Sequence, residues 1–310
     1  MPKRIKSADD LVTTPEATCN GFRELAAVKT MKATPHVSDA IAFLEELNQI
    51  GSASELPNRP HLRESLIYAA GISAKARSHL TNEHIDKIIL AFVEAIPEER
   101  KREFRNEVFY RYLLIRGASL DGEMRNYIGA QAARLFVRAL LEALEARHDP
   151  CVYFKDHDEY VKLPDAKLLA ETLKTQKITW KNRILLFDKK PGLIGKNVDM
   201  ILLDASGPKQ SDTKLLAEPE RYLACGELKG GIDPAGADEH WKTARSAIDR
   251  INAAFASRSH KPAIFFVGAA IEAAMAIEIF ARLRDGKMAR AANLTVPAQV
   301  ADLAAWLVSL

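Results

Sequence analysis

The sequence predicts an α/β chain of the α+β kind, a helical N-terminal part followed by a central mixed sheet flanked by helices. Three observations point there. Residues Val37 to His148 carry helical periodicity with no sustained strand pattern. At His148-Asp149-Pro150 the character changes, and from there short apolar runs alternate with helical stretches, the mixture that makes a sheet covered by helices. The chain has 310 residues, which at about 150 per domain allows roughly two domains.

Taken in order, residues 1–36 read as an arm, with Pro15 and Pro35 and no periodicity. A helical domain follows over 37–149. Ile41, Leu44, Leu47 and Ile50 recur every three residues, as on one face of a helix. Thr81 before Ile85, Ile88, Ile89 and Phe92 reads as a capped helix, and Pro97-Glu98-Glu99 reads as the start of another. Met124–Arg147, rich in Ala, Leu and Arg, predicts a long helix with Ser119 as a possible cap and with Met124, Ile128 and Leu135 toward the core. The third segment, 150–310, alternates strands at Cys151–Phe154, Ile184–Phe187, Val198–Leu203, Tyr222–Leu228 and Ala263–Gly268 with helices at Ala166–Thr175, Asp238–Arg258, Glu272–Arg284 and Pro297–Val308.

Hydrophobic residues make up 47% and charged residues 27%, the balance of an ordinary globular protein rather than a disordered one. The longest apolar stretch, Pro262–Ile271, is half the length a membrane span needs, and no apolar stretch follows the basic start Met-Pro-Lys-Arg-Ile-Lys. Cys19, Cys151 and Cys225 are too scattered for a disulfide or zinc framework. A reduced, cytoplasmic protein without a membrane partner is expected. The net charge of +3 says little, but Lys177–Lys196 carries six basic residues against Asp188. Such a run attracts a polyanion, although a solvated hairpin has the same composition.

The chemistry concentrates between Lys196 and Trp241. Asp199 lies near the start of one apolar strand, and Glu227 and Lys229 lie at the end of the next. Period-two alternation points Glu227 and Lys229 the same way and Leu228 to the opposite layer. If the two strands pair, Asp199 meets Glu227. Two adjacent carboxylates repel unless a cation such as Mg²⁺ sits between them. An ammonium beside them can orient a water and offset charge building on a phosphate. A plain same-face ion pair on an edge strand is the alternative.

This Asp…Glu-X-Lys arrangement is that of the PD-(D/E)XK nucleases. More specifically, Gly-Glu-Leu-Lys-Gly-Gly-Ile-Asp-Pro-Ala-Gly-Ala-Asp-Glu-His-Trp-Lys-Thr-Ala (226–244) resembles the active-site segment of the AvaI/BsoBI group of type II restriction endonucleases. The spacings fit as well, with 28 residues from Asp199 to Glu227 and 13 from Glu227 to His240. The resemblance is close over 196–250. It implies a restriction-endonuclease-like core, a homodimer around a degenerate palindrome in double-stranded DNA (CYCGRG), and Mg²⁺-dependent cleavage leaving 5′ overhangs. It implies Asp199, Glu227, Lys229 and His240 as catalytic residues, with Mg²⁺ on Asp199, Glu227 and the Leu228 carbonyl. A cognate DNA methyltransferase would protect the host genome without binding the enzyme, and the activity would reside at a prokaryotic nucleoid. A second segment, Arg116–Asn126, resembles the R-G-(D/N)-S-L-G-G-x-M-R-N stretch of several restriction endonucleases, with Ser119 and Arg125 as DNA contacts. Ala118 and Asp121 depart from it and put the exact target in doubt.

Other residues carry two readings each. His240 opens a helix with an apolar stripe at Ala244, Ala247, Ile248 and Ile251; it is a general base near the attacking water or a histidine at the core edge. Asp233 before Pro234 is a helix cap or an acceptor for a cytosine amino group. Lys196 reaches DNA near the scissile phosphate or is a turn lysine. Lys75 and Arg77 form a basic loop able to enter a groove or a solvated one. Lys181, Arg183, Lys189 and Lys190 are grouped as phosphate contacts, and Asp204, ending its strand, reads as a turn former rather than a metal ligand. A repair or recombination nuclease on the same core, or a DNA-binding protein that does not cut, are the competing functions.

Overall fold

The computed structural model describes residues 5–96 and 103–310, so the expected helix start at Pro97 lies outside the described residues. Packing separates two units. One joins the chain up to Phe22 with Tyr127–Leu310; the other is Arg23–Asn126. These boundaries differ from the expected 1–36, 37–149 and 150–310, because two long helices run across them.

The second unit is helical. It holds α2 (Arg63–Ala69), α3 (Ala74–Arg77) and α4 (Asn82–Glu94), with α1 (Pro15–Leu47) from Arg23 onward and α5 (Phe104–Glu145) up to Asn126; the two ends of those long helices belong to the other unit. α4 starts as expected, with the Thr81 hydroxyl accepting from the His84 amide and Ile85, Ile89 and Val93 buried. These pack with Phe43, Leu47, Leu66, Ile67, Phe104, Val108 and Tyr112.

α1 corrects the reading of residues 1–36 as an irregular arm: the chain is helical from Pro15, with Pro35 inside the helix. An interior proline costs about 3 kcal/mol, and the burial of Ala40, Phe43 and Leu47 offsets it. Of the expected face, Leu47 and Ile50 are buried and Leu44 is half-buried, but Ile41 is 56% exposed, its place taken by Ala40 and Phe43. α5 begins twenty residues before Met124. Ser119 is therefore no cap; it sits inside the helix and its hydroxyl donates to the Ile115 carbonyl. Met124 is buried as expected, but Leu135 is 43% exposed.

The other unit is a three-layer sandwich. Its sheet has the order β2-β1-β3-β4-β5-β6-β7-β8, with β1 (Cys151–Phe154), β2 (Tyr160–Lys162), β3 (Thr175–Trp180), β4 (Arg183–Lys189), β5 (Val198–Asp204), β6 (Tyr222–Lys229), β7 (Ala263–Gly268) and β8 (Arg290–Asn293). Pairs from β2 through β6 are antiparallel, and β6–β7 and β7–β8 are parallel, so the sheet is mixed as expected. Thr175, expected to end a helix, begins β3, because α6 (Asp165–Ala170) stops earlier.

One face of the sheet packs on α8 (Ala237–Phe255) and α9 (Ala273–Arg284) through Ile201, Cys225, Trp241, Ile248, Phe266 and Ile279. The other packs on α5 and α10 (Pro297–Ser309) through Leu140, Leu144, Met200, Leu202, Phe265 and Leu303. Strands buried on both faces read as continuous apolar runs, which is why β5, β6 and β7 are visible in the sequence. No helix of the described residues is long and apolar enough to cross a membrane.

Candidate active site

β5 and β6 are neighbours, and the antiparallel register that pairs Met200 with Gly226 sets Asp199 beside Glu227. The Asp199 side chain also reaches β6 itself, where the Leu228 amide donates to its Oδ2 at 2.8 Å. Lys229 Nζ lies 3.2 Å from Glu227 Oε2 and 3.6 Å from Asp199 Oδ2. The three side chains share the face that Cys225 and Ile201 bury against α8, the face predicted by period-two alternation.

Their environments differ. Asp199 is half-buried, whereas Glu227 is only 3% exposed, and its Oε1 is buried with no hydrogen-bond partner among the described residues. Burial first, and the Asp199 carboxylate second, push the Glu227 carboxyl up to about 7 against the pull of Lys229. A buried carboxylate with an idle oxygen beside another carboxylate is a donor set short of positive charge, so these residues fit a divalent cation. Among the described residues no three His, Cys, Asp or Glu side chains gather into a metal cage.

His240 sits in the first turn of α8, half-buried, with its ring against Gly231. A Cβ on Gly231 would come within 2.4 Å of His240 Cε1, so the ring lies over the backbone two residues past Lys229. Asp233 caps the short turn Pro234–Gly236 by accepting from the Ala235 amide at 3.0 Å and is exposed. Lys196 is exposed after Gly195, whose φ of +73° suits glycine.

The basic run from Lys177 to Lys196 does not act as one group. Lys189 pairs in register with Val198, so Lys189, Lys190 and Lys196 stand at the Asp199 end of the sheet. Lys181 and Arg183 stand at the other end, six residues along β4 or roughly 20 Å away. There Arg183 is bound to Asp204 at 2.9 Å and to the Leu310 carbonyl at 2.7 Å. Lys177, midway along β3 opposite Leu186, is bound to Asp212.

Lys75, Arg77, Ser119 and Arg125 belong to the second unit. Lys75 and Arg77 form the short helix α3 rather than a loop, and Arg77 is committed to Glu64 at 2.5 Å and 2.8 Å. Arg125 is exposed on α5. In the same segment Arg116 binds Asp39 at 3.0 Å and lies over the Tyr68 ring, and Asp121 pairs with Lys29 at 2.6 Å. That stretch is mid-helix here, not the loop and helix start expected.

A mixed sheet with helices on both faces, carrying a carboxylate pair and a lysine on two adjacent central strands, is a restriction-endonuclease-like core. Comparison with known proteins goes further, along the whole chain. The family model described as restriction endonuclease BsobI matches residues 1–310. The type II restriction enzymes AvaI of Nostoc sp. and of Anabaena variabilis are each 39% identical over 311 residues, covering 99% of this chain and 98% of theirs. The type II restriction enzyme BsoBI of Geobacillus stearothermophilus is 37% identical over 314 residues, covering 99% and 97%. The chain belongs to the AvaI/BsoBI family of type II restriction endonucleases.

Proposed function

We propose that the protein is a Mg²⁺-dependent endonuclease that cuts both strands of a short palindrome in double-stranded DNA, CYCGRG in its degenerate form, leaving 5′ overhangs. The carrying observation is Glu227, buried with an unpartnered oxygen beside Asp199 and Lys229. Asp199, Glu227 and the Leu228 carbonyl would hold the ion. When bound, Mg²⁺ supplies Lewis-acid polarisation of the phosphate and a lowered pKa for water.

The chain's own residues do the rest. The Lys229 ammonium offsets negative charge building on the scissile phosphate and orients the attacking water. His240, whose ring lies over Gly231, stands ready to hold a proton. Lys189, Lys190 and Lys196, at the same end of the sheet, position the phosphate backbone without reading sequence. Asp233 remains available to a cytosine amino group through the carboxylate oxygen that its cap does not use. The second unit, with Lys75, Arg77, Ser119 and Arg125, recognises and clamps the duplex. A palindrome presents two identical half-sites, so a two-fold homodimer reads it with one set of side chains. In the bacterial cytoplasm a methyltransferase of the same specificity protects the nucleoid.

The test is incubation with phage DNA and Mg²⁺ followed by sequencing of fragment ends. Discrete ends sharing one palindrome are expected. Exonucleolytic or structure-specific products overturn the reading in favour of a repair nuclease, and binding without cuts in favour of a non-cutting DNA-binding protein. Sedimentation should give about 69 kDa, twice the 34.4 kDa of one chain. A monomer both with and without cognate DNA rules out the palindromic homodimer.

A further inference from the structure

Four polar side chains are buried among the described residues: Thr175, Glu227, Asn293 and Gln299. Asn293, at the end of β8, and Gln299, in α10, do not touch the carboxylates; they hold the N-terminal segment. Asn293 Nδ2 donates to the Leu11 carbonyl and to Thr13 Oγ1, each at 2.9 Å. Gln299 Nε2 donates to the Asp10 carbonyl at 2.5 Å, and its Oε1 accepts from the Asn293 amide at 2.8 Å.

Thr13 passes this grip onward. Its hydroxyl donates to the Ala269 carbonyl at 2.7 Å and accepts from the Ile271 amide at 2.9 Å, while its own amide donates to the Ile271 carbonyl at 2.9 Å. With Asn293 as the third partner, one donor and two lone pairs are all used. The turn that Thr13 staples, residues 269–271 beyond β7, binds the end of β6 in its turn. The Ala269 amide donates to the Lys229 carbonyl at 2.9 Å, and the Ala270 amide to the Gly231 carbonyl at 3.1 Å.

Residues 229–232 are closed in from the other sides too. A Cβ on Gly21 of α1 would meet Ile232 at 2.6 Å, one on Gly230 would meet Ala132 of α5 at 2.3 Å, and one on Gly231 would meet the His240 ring. Residues 230–232 are crowded on those sides, and Lys229, in register with Gly268, is tied through its carbonyl to the stapled turn.

We propose that Thr13 is a positioning residue for Lys229: the N-terminal strap, anchored by Asn293 and Gln299, sets the turn that sets the lysine. The inference rests on Lys229 acting at the scissile phosphate. A group that works by placing charge loses up to about 100-fold when displaced on the order of 1 Å. Ground-state binding, spread over many phosphate contacts, is insensitive to such a shift.

Thr13→Val keeps the branched shape and removes the hydroxyl's three bonds; Thr13→Ser keeps them. For Thr13→Val, single-turnover cleavage in Mg²⁺ should fall about tenfold or more, with cognate affinity in Ca²⁺ unchanged within about threefold. Thr13→Ser should restore the rate. Gln299→Met, which loosens the strap at Asp10 without touching Thr13, should give the same signature more weakly, and serves if Thr13→Val does not fold. A residue that only fastens the N-terminus lowers Tm and leaves the cleavage rate of the folded protein alone. That result, a parallel loss of affinity, or failure of Thr13→Ser to rescue overturns the inference. Lys229→Met, measured alongside, tests the reading beneath it: wild-type cleavage by that variant removes the lysine's role and the inference together, whereas an inactive Lys229→Met beside a fully active Thr13→Val removes the inference alone.

Discussion

The two ends of the β4–β5 hairpin each gather acids and bases, and they are built in opposite ways. At one end Asp204 accepts from Arg183, from the Ser206 amide and from the Ser206 hydroxyl at 2.8–3.1 Å. Burial raises its carboxyl, but the Ser206 bonds and the charges of Arg183 and Arg221 outweigh that and hold it below the usual carboxylate range. At the other end Glu227 is buried more deeply, faces Asp199, and keeps an oxygen without a partner. Its carboxyl is pushed up instead. A cluster that serves the fold satisfies its charges internally; one that leaves a buried carboxylate unmet is completed by something from outside.

The widest separation between the two ends should appear in cleavage. On the proposed metal site, Asp199→Ala or Glu227→Ala would remove a hard oxygen ligand, and the rate in Mg²⁺ should fall about a thousandfold or more, with cognate binding in Ca²⁺ retained. Asp204→Asn should cut at the wild-type rate while losing about 1–2 kcal/mol in urea unfolding. Wild-type cleavage by Asp199→Ala would erase the distinction.

The bases sharpen it next. Lys229→Met keeps the aliphatic stem and deletes the charge, and should lower turnover by about a hundredfold to a thousandfold at every pH tested. Arg183→Met, at the satisfied end, should change stability and leave turnover intact. Wild-type turnover by Lys229→Met would remove the lysine from the chemistry.

Stability against pH should differ in sign. Glu227 holds its proton more tightly folded, at about 7, than the ordinary 4.5. Protein stripped with EDTA therefore loses stability as pH rises from about 4.5 to 7, by up to about 3 kcal/mol, and Glu227→Gln should be spared that loss. Asp204 is held low, so its contribution is present above the unfolded carboxylate value and lost in acid; Asp204→Asn should cost most near neutrality. Melting curves of the two variants against wild type across about pH 2–8 check both signs, and Mg²⁺ should close the gap at Glu227 alone.

The smallest effect belongs to His240. If it takes the water's proton, His240→Ala should slow cleavage about tenfold and change the shape of the pH–rate profile. A slower variant with an unchanged profile makes the ring a prop for Gly231 and not a base.

Much of the site was readable beforehand. Asp199, Glu227 and Lys229 interrupt apolar strands, and a period of two puts Glu227 and Lys229 on one face whatever the rest of the chain does. Other parts carried no local signal. β2 and β8 are three and four residues long, too short for a pattern, and exist because a longer strand pairs with them. α1 contains Pro35 and spreads its apolar residues weakly, so its helicity depends on burial and not on propensity. The lysines and arginine of Lys177–Lys196 are close in sequence yet divided between opposite ends of a hairpin.

What the sequence determined by itself is the set of chemical groups, the strands that carry them, and through motif and spacing the nuclease family. Each of these depends on residues within a strand or a short segment of one another. Tertiary structure alone decided which carboxylate is buried and unpartnered, which basic residues are already neutralised, and what holds Lys229 in place. Those outcomes depend on register, burial and hydrogen bonds between distant positions, as when Thr13 grips Ala269 across 256 residues. Local propensity cannot encode such a contact, because its free energy arises only once both partners have been brought out of water together.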